Sequence, residues 1–560
     1  MIKKLVRLTM TPILVGGAFL VGGCTSEQMA ADTILVGGKI WTATDVDADW
    51  EAGPTAVAVS GGRIVAVGSD EEIEAFASSS TKRIELSGRR VVPGFIDNHT
   101  HFISSGFELN SVKLRDAQTP DEFSLRIGEY ASQNPGEWVT GGTWDHENWG
   151  GELPRRDWID SLTGDTPVFV TRLDGHMSLA NSAALELAAI TAETAEVDGG
   201  TIVRDEEGVP TGILKDAAQS LVYAVMPEPG EEALDRALDA AVQYAVERGV
   251  TLATDMGSWG NLAAYRRALE AGRLKLRMYS VVPLATWERL RDFVQENGRG
   301  DDRLYWGGVK AFVDGSLGST TAWFYEPYDD EPETSGLVIT DLDELRSNIL
   351  AADAAELHVM VHAIGDRAND WLLDVFEAAA EENGFRDRRF RIEHAQHLSE
   401  DAIRRFAEMG VAPSMQPYHA IDDGRWAEKR IGPERILTTY AFRSLLDEGA
   451  ALTFGSDWSV APIDPLLGIY AAVTRRTIDG ANPGGWVPDQ RITVAEAVRS
   501  YTEYNAWASY RYEDLGKLEA GRYADLVVLS GDIFEIAPNE IEGVRVDITM
   551  VEGEVVFERR

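Results

Sequence analysis

The chain has 560 residues, 44% of them hydrophobic, with 53 Gly and 15 Trp. That composition gives a globular protein ample material for a core and excludes a disordered or low-complexity chain. Lys and Arg number 52 against 92 Asp and Glu, a formal charge of −40, which repels nucleic acid and anionic lipid and argues against a nucleic-acid partner. Solubility is the plain consequence of that charge. Steering of cationic substrates is the sharper one, although global charge says little about any single pocket.

The first 24 residues differ from the rest. Lys3, Lys4 and Arg7 form a basic start, an apolar run follows from Pro12 to Val21, and Gly22-Gly23-Cys24 closes it. This is the pattern of a secretory signal, too short to span a bilayer. Cys24 is the only cysteine, so no internal disulfide forms. Val21-Gly22-Gly23-Cys24 resembles the bacterial lipobox, with Val where Leu is commoner. The resemblance implies a signal over residues 1–23, cleavage before Cys24, diacylation of its sulfur and a tether over 24–32. The protein would then be an exported envelope lipoprotein, held to the membrane by acyl chains alone. Thr25, in place of Asp, points to the outer membrane in a cell that has one.

Short β-like runs follow from Thr33, and matching runs recur near the C-terminus, such as Ala524–Leu529 and Glu554–Phe557. They predict one β-sandwich-like domain built from residues 33–90 plus 516–560. Residues 91–515 alternate apolar strands with helical patterns. Eight strands are expected at Arg90–Asp97, Val250–Met256, Lys275–Val282, Trp306–Val313, His358–Ala363, Phe390–His394, Val411–Gln416 and Ala451–Ser456. Eight βα units predict an α/β fold, a (β/α)₈ TIM barrel. The first gap is too long for one helix, so residues 102–249 hold an insertion, with a strand of its own at Val168–Thr171.

In such barrels the chemistry sits at the C-terminal ends of the strands. His99 and His101 end the first strand two residues apart, on one face. Lys310, Phe312 and Asp314 share a face at the end of the fourth. A buried Lys there is costly unless it is paired or neutralised. His362 ends the fifth strand, His394 the sixth and Asp457 the eighth. Four of the nine histidines thus fall at three strand ends, and His with carboxylate converging on a barrel mouth suits a divalent metal.

This pattern resembles the amidohydrolase superfamily. The finer motifs resemble its family 3, the branch that contains N-substituted formamide deformylase-like proteins. They are Pro93-Gly-Phe-Ile-Asp-Asn-His-Thr-His101, Gly141-Gly-Thr-Trp-Asp-His146, Asp174-Gly-His176, Asn181-Ser182, Val309-Lys-Ala-Phe-Val-Asp-Gly-Ser316, Arg391-Ile-Glu-His-Ala-Gln396 and Gly516-Lys-Leu-Glu-Ala-Gly-Arg-Tyr-Ala-Asp-Leu526. The resemblance implies one or two divalent ions, with Zn²⁺ the best fit to His-rich ligation. His99 and His101 would hold the more buried ion. Lys310, as N6-carboxylysine, would bridge to a second ion held by His362 and His394. Asp457 would touch the buried ion and the nucleophilic water. Lys215, in the insertion, is a lesser candidate for carbamylation.

The expected reaction is hydrolysis of a non-peptide C–N bond in a small molecule: an N-substituted amide, a formamide or a cyclic amide. Asp457 would move the proton, and His176 or His146 would steady the oxyanion. Trp144, Asp145, His146, Arg172, Asp314, Gln416, His419 and Trp458 are the candidate substrate-binding residues. Glu393 would orient a ligand, and His358 and His397 would be structural. An esterase, lactonase or dipeptidase on the same metals is the rival enzyme, and a non-catalytic envelope binding lipoprotein the rival of another class. No Gly-x-Ser-x-Gly elbow or P-loop competes. A homo-oligomer stays open.

Overall fold

A computed structural model describes residues 30–44, 53–227 and 229–560. The expected signal segment and Cys24 lie outside the described residues.

Eight parallel strands form one sheet in strictly sequential order. They are β1 (Phe95–Thr100), β2 (Val250–Met256), β3 (Arg277–Pro283), β4 (Leu304–Phe312), β5 (His358–Ala363), β6 (Arg391–His394), β7 (Ala412–Met415) and β8 (Thr453–Phe454). Almost every residue in them is buried, because the barrel interior covers one face and the helical ring the other. This is the expected TIM barrel. It closes between β8 and β1. The Asn505 side chain donates to the carbonyls of Ile96 (2.5 Å) and Phe454 (2.6 Å) and accepts from the Phe454 amide. Higher up, Asp457 N donates to His99 O at 2.8 Å and His101 N to Trp458 O at 2.8 Å.

The expected first strand is in fact two. Arg90–Pro93 pairs antiparallel with Leu526–Leu529 in the small domain, and the barrel begins only at Phe95. The chain crosses between them at Gly94, where a Cβ would meet Thr251 Oγ1 at 2.3 Å. The smooth apolar run through Val91 and Ile96 conceals this change of sheet.

Both chain ends build the small domain, a four-stranded sheet facing a five-stranded one. Leu35, Val57 and Val59 from the first pack on Val91, Leu526, Val528 and Met550 from the second. Ala31, at the end of the expected tether, is already buried against it. Arg277, at the start of β3, is fully buried and grips Asp525 of the small domain with both prongs (2.7 and 3.0 Å).

The insertion is larger in structure than the single expected strand. It holds a six-stranded sheet, in spatial order Gly200–Arg204, Pro210–Asp216, Met177–Ala180, Val168–Arg172, Val139–Trp144 and Val112–Lys113. Its strands are short and interrupted by residues such as Gly141 and Gly142, so their period-2 signal is weak. Trp144, expected to line the pocket, is buried in this lobe's own core beside Phe123. Its Nε1 donates to Val170 O at 2.8 Å.

Candidate metal centre

The side chains that end β1, β4, β5, β6 and β8 meet at one mouth of the barrel. Ligand atoms of His99, His394 and Asp457 all lie within 4.8 Å of one another. The His99 and His394 ring centroids are 4.9 Å apart, and those of His362 and His394 4.4 Å. His101 Nε2 lies 3.3 Å and His99 Nε2 3.5 Å from the same Asp457 oxygen. Lys310 Nζ is 3.5 Å from His99 Nε2.

Hydrogen bonds behind the rings fix which nitrogen is free. His99 Nδ1 donates to Glu393 Oε2 at 2.5 Å, so Nε2 carries a lone pair toward the cluster. Burial alone would raise the Glu393 pKa, but the charge of Arg391 and the hydrogen bond from His99 hold that carboxyl well below the usual range. His394 Nδ1 donates to Gln416 Oε1 at 2.8 Å, which frees its Nε2. His362 Nε2 donates to the Gly315 carbonyl at 2.9 Å, which frees its Nδ1. Burial lowers the His99 pKa to about 4 and holds His362 and His394 well below the ordinary value. Neutral imidazole is the ligand form.

The donor set fits a cation. Asp457 Oδ1 is buried without a hydrogen-bond partner, and the nitrogen that His99 turns toward it bears a lone pair. Two lone pairs facing each other across 3.5 Å repel unless something positive lies near both. The backbone is also held in place: His394 (φ 75°) and Asp457 (φ 56°) both lie in the left-handed region, which costs about 1 kcal/mol or more for such residues and persists where surrounding structure enforces it.

Two chambers flank this cluster. The larger, about 290 Å³, is lined by His101, Glu108, Tyr223, Lys310 and Phe312 among others. The smaller, about 40 Å³, is lined by Leu317, Ile364, His419, Asp423 and Trp426 among others. Arg172, Asp174, His176, His362, His394 and Asp457 border both. A further cavity of about 550 Å³ lies around the N-terminal ends of β4, β5 and β6, lined by Tyr305, His358 and Arg388 among others. That end of a TIM barrel ordinarily serves stability.

The expected substrate-binding residues divide three ways. Arg172 and His419 reach the chambers. Asp145, His146 and Gln416 sit one contact behind. Asp145 accepts from Arg172 (3.1 Å) and Arg425 (2.8 Å), His146 Nδ1 faces Arg172 Nε at 3.3 Å, and Gln416 holds His394. Trp144, Asp314 and Trp458 do not line either chamber. Asp314 is fully buried and accepts from the amides of Trp323, Ile364 and Gly365 at 2.8–2.9 Å, so it pins the loops after β4 and β5. Trp458 stacks on Tyr244 and meets Phe102 edge-on. His358 bonds Tyr279 and the Arg389 carbonyl, and His397 bonds Thr439. Lys215 Nζ donates to the Ser319 carbonyl at 3.0 Å.

His176 faces His362 at a centroid distance of 5.1 Å, with Asp216 2.6 Å from its Nδ1. Burial disfavours charge on His176, yet Asp216, with Asp174 and Asp314, raises its pKa overall. Sequence reasoning missed Asp216, Asp174 and Asp423. Asp174 stands inside a quoted motif, whereas Asp216 meets His176 only because Met177–Ala180 pairs with Pro210–Asp216.

The pattern of the amidohydrolase family, Amidohydro_3, matches residues 82–557. The chain belongs to this amidohydrolase family. Relatives match over nearly the whole length. Protein LONG AFTER FAR-RED 3 of Arabidopsis thaliana is 41% identical over 90% of this chain and 88% of its own. N-substituted formamide deformylase of Arthrobacter pascens is 31% identical over 90% and 95%. Among solved structures, an uncharacterized metal-dependent hydrolase from Pyrococcus horikoshii superposes with a TM-score of 0.73 at 30% identity, covering 90% of this chain and 99% of that one. This amidohydrolase therefore shares its fold, over most of its length, with a metal-dependent hydrolase, and its candidate ligands stand at the strand ends where such barrels place their chemistry.

Proposed function

We propose that the protein hydrolyses a non-peptide C–N bond in a small molecule: an N-substituted amide, a formamide or a cyclic amide. The observation that carries this reading is Asp457. Its Oδ1 is buried and unpartnered, within 3.3–3.5 Å of two imidazole nitrogens. The C–N bond class draws support from the relative named N-substituted formamide deformylase.

His99, His101 and Asp457 would hold one divalent ion, and His362 with His394 a second, bridged by Lys310 as a carbamate. Zn²⁺ suits this donor set best. Such ions, when bound, acidify water and polarise a carbonyl. Lys310 suits carbamylation: burial lowers its pKa to about 8 against the pull of Glu393 and Asp457, so near neutrality part of it is the free amine that adds CO₂.

The remaining chemistry falls to side chains. Asp457 accepts the proton of the attacking water and returns it to the leaving nitrogen. His176, held by Asp216 through Nδ1, donates from Nε2 to the carbonyl oxygen as negative charge develops there. Leu173, Ile364 and Val460 line the chambers beside these groups and help keep bulk water from the reacting bond.

The test is metal analysis of the purified protein together with rates on matched amides, formamides, lactams, esters and lactones. Turnover of the C–N substrates in step with metal content is the expected result. Turnover of esters or lactones alone would overturn the bond assignment, and tight binding without turnover in metal-replete protein would favour a binding protein.

We also propose that the chain is exported and anchored through a diacylated Cys24. Among the described residues no helix is long and apolar enough to cross a membrane, so the lipid would supply the attachment. Cys24→Ser should then move the protein from the membrane fraction to the soluble one, and retention in membranes would refute the anchor.

A further inference from the structure

The smaller chamber is walled by more negative charge than its arginines neutralise. Arg172 forks to Asp145 (3.1 Å) and Asp174 (2.7 Å). Arg425 holds Asp145 at 2.8 Å and also pairs with Asp422, whose other oxygen takes Arg115 at 3.0 Å. Arg430, near the ring of Trp426, is spent on Glu147 (3.2 Å) and Glu331 (3.3 Å). Three guanidiniums, of Arg115, Arg172 and Arg425, thus serve the carboxylates of Asp145, Asp174 and Asp422. Asp423 remains. Its Oδ2 accepts the Tyr440 hydroxyl, and among the described residues it has no ion pair. Burial pushes its carboxyl up to about 7 and Asp422 adds to the rise, although the Tyr440 hydrogen bond and the more distant charges of Arg172 and Arg425 pull it down.

A carboxylate without a direct ion pair in a half-buried cavity costs free energy that a cation can recover. The chamber, about 40 Å³, has room for about three waters, a volume that suits a compact head group. His419 lies on the same helix, Pro417–Asp423, and its Nε2 is buried without a partner, a second polar atom in want of a ligand. We propose that Asp423 makes this chamber a subsite for a cationic nitrogen group of the substrate, an ammonium or guanidinium, and so determines specificity. The chain's charge of −40 would draw such substrates in. The idea rests on the hydrolase reading only for which bond reacts, not for what the chamber binds.

Two measurements on metal-loaded, full-length protein separate these questions. The first is calorimetric titration with n-butylguanidinium and its uncharged counterpart n-butylurea. Wild type should bind the guanidinium at least about tenfold more tightly, equivalent to about 1.4 kcal/mol. Asp423→Asn, which retains an acceptor for Tyr440, should lose most of that preference. Equal binding by wild type, absence of binding by either probe, or a preference undiminished in Asp423→Asn would overturn the proposal. The wild-type comparison decides alone should the variant not fold. The second compares kcat/KM on N-(4-guanidinobutyl)formamide and N-pentylformamide. Hydrolysis of neither, with the guanidinium preference intact, would sink the formamide reading alone. Equal hydrolysis of both would sink the Asp423 subsite alone.

Discussion

Asp457 is asked to do two things with one carboxylate: hold a cation and move a proton. Asparagine keeps its size and one oxygen but cannot take a proton at any useful pH. Asp457→Asn should therefore retain metal, read by elemental analysis, while kcat falls by about 10²–10⁴-fold, the usual worth of a positioned general base. Near-normal turnover would remove Asp457 from the proton path. Lys310 offers a different test, because only its carbamate, not its ammonium, is a ligand. Lys310→Ala should lose one of two metals per chain, and a short carboxylic acid with bicarbonate should restore part of the activity. Unchanged metal content would argue against a carbamate. These groups were legible in sequence because each stands at or near the end of an apolar run, where a barrel puts its chemistry. Asp314 ends such a run too, and the same position predicts a substrate-binding residue. What separates it from Asp457 is three amides, of Trp323, Ile364 and Gly365, brought by loops whose path no local periodicity encodes. Asp423 was invisible for the complementary reason: its significance is the lack of a direct ion pair among the described residues, and that depends on where Arg115, Arg172 and Arg425 go.

At the level of elements, the weak seam of the barrel lies between β8 and β1. β8 has two residues, too few to knit the sheet by backbone pairing alone. Asn505 supplies the missing bonds from its side-chain amide, to Ile96 O, Phe454 O and Phe454 N. Asn505→Ala leaves three buried backbone groups unsatisfied, at about 1–3 kcal/mol each. Denaturant unfolding should show a loss of at least about 3 kcal/mol on that scale. Because Asp457 hangs on the same seam, metal affinity should fall as well. A variant with unaltered midpoint would mean water or a neighbour replaces the amide. Seven of the eight strands stood out as apolar runs bounded by turns. The first misled because no polar side chain interrupts Val91–Ile96, which joins Arg90–Pro93 to Phe95–Thr100, yet these belong to two sheets. The inserted sheet was mostly unreadable, since its strands owe their pairing to contacts across the lobe rather than to internal alternation.

For the whole molecule, the issue is whether metal builds the fold or only completes it. The barrel closes through backbone and Asn505, the small domain is bolted on by Arg277 and Asp525, and barrel, insertion and sandwich each hold buried cores of their own. None of these contacts uses the side chains of the cluster at the mouth, although the backbone of His99, His101 and Asp457 takes part in the closure. Thorough chelation should thus abolish turnover and leave the secondary structure, read by circular dichroism, unchanged. It should still lower the melting temperature. A ligand that binds only the folded state adds RT ln(1 + [L]/Kd), about 4 kcal/mol at a thousandfold excess over Kd, and its removal also restores the lone-pair repulsion between His99 and Asp457. The melting temperature should climb again with each increment of Zn²⁺. In His99→Ala that climb should be weaker, whereas in Trp144→Phe, which lies in the lobe core away from the cluster, it should persist. Loss of secondary structure on chelation would assign the ions a structural role, and full activity in stripped protein would end the metal mechanism altogether.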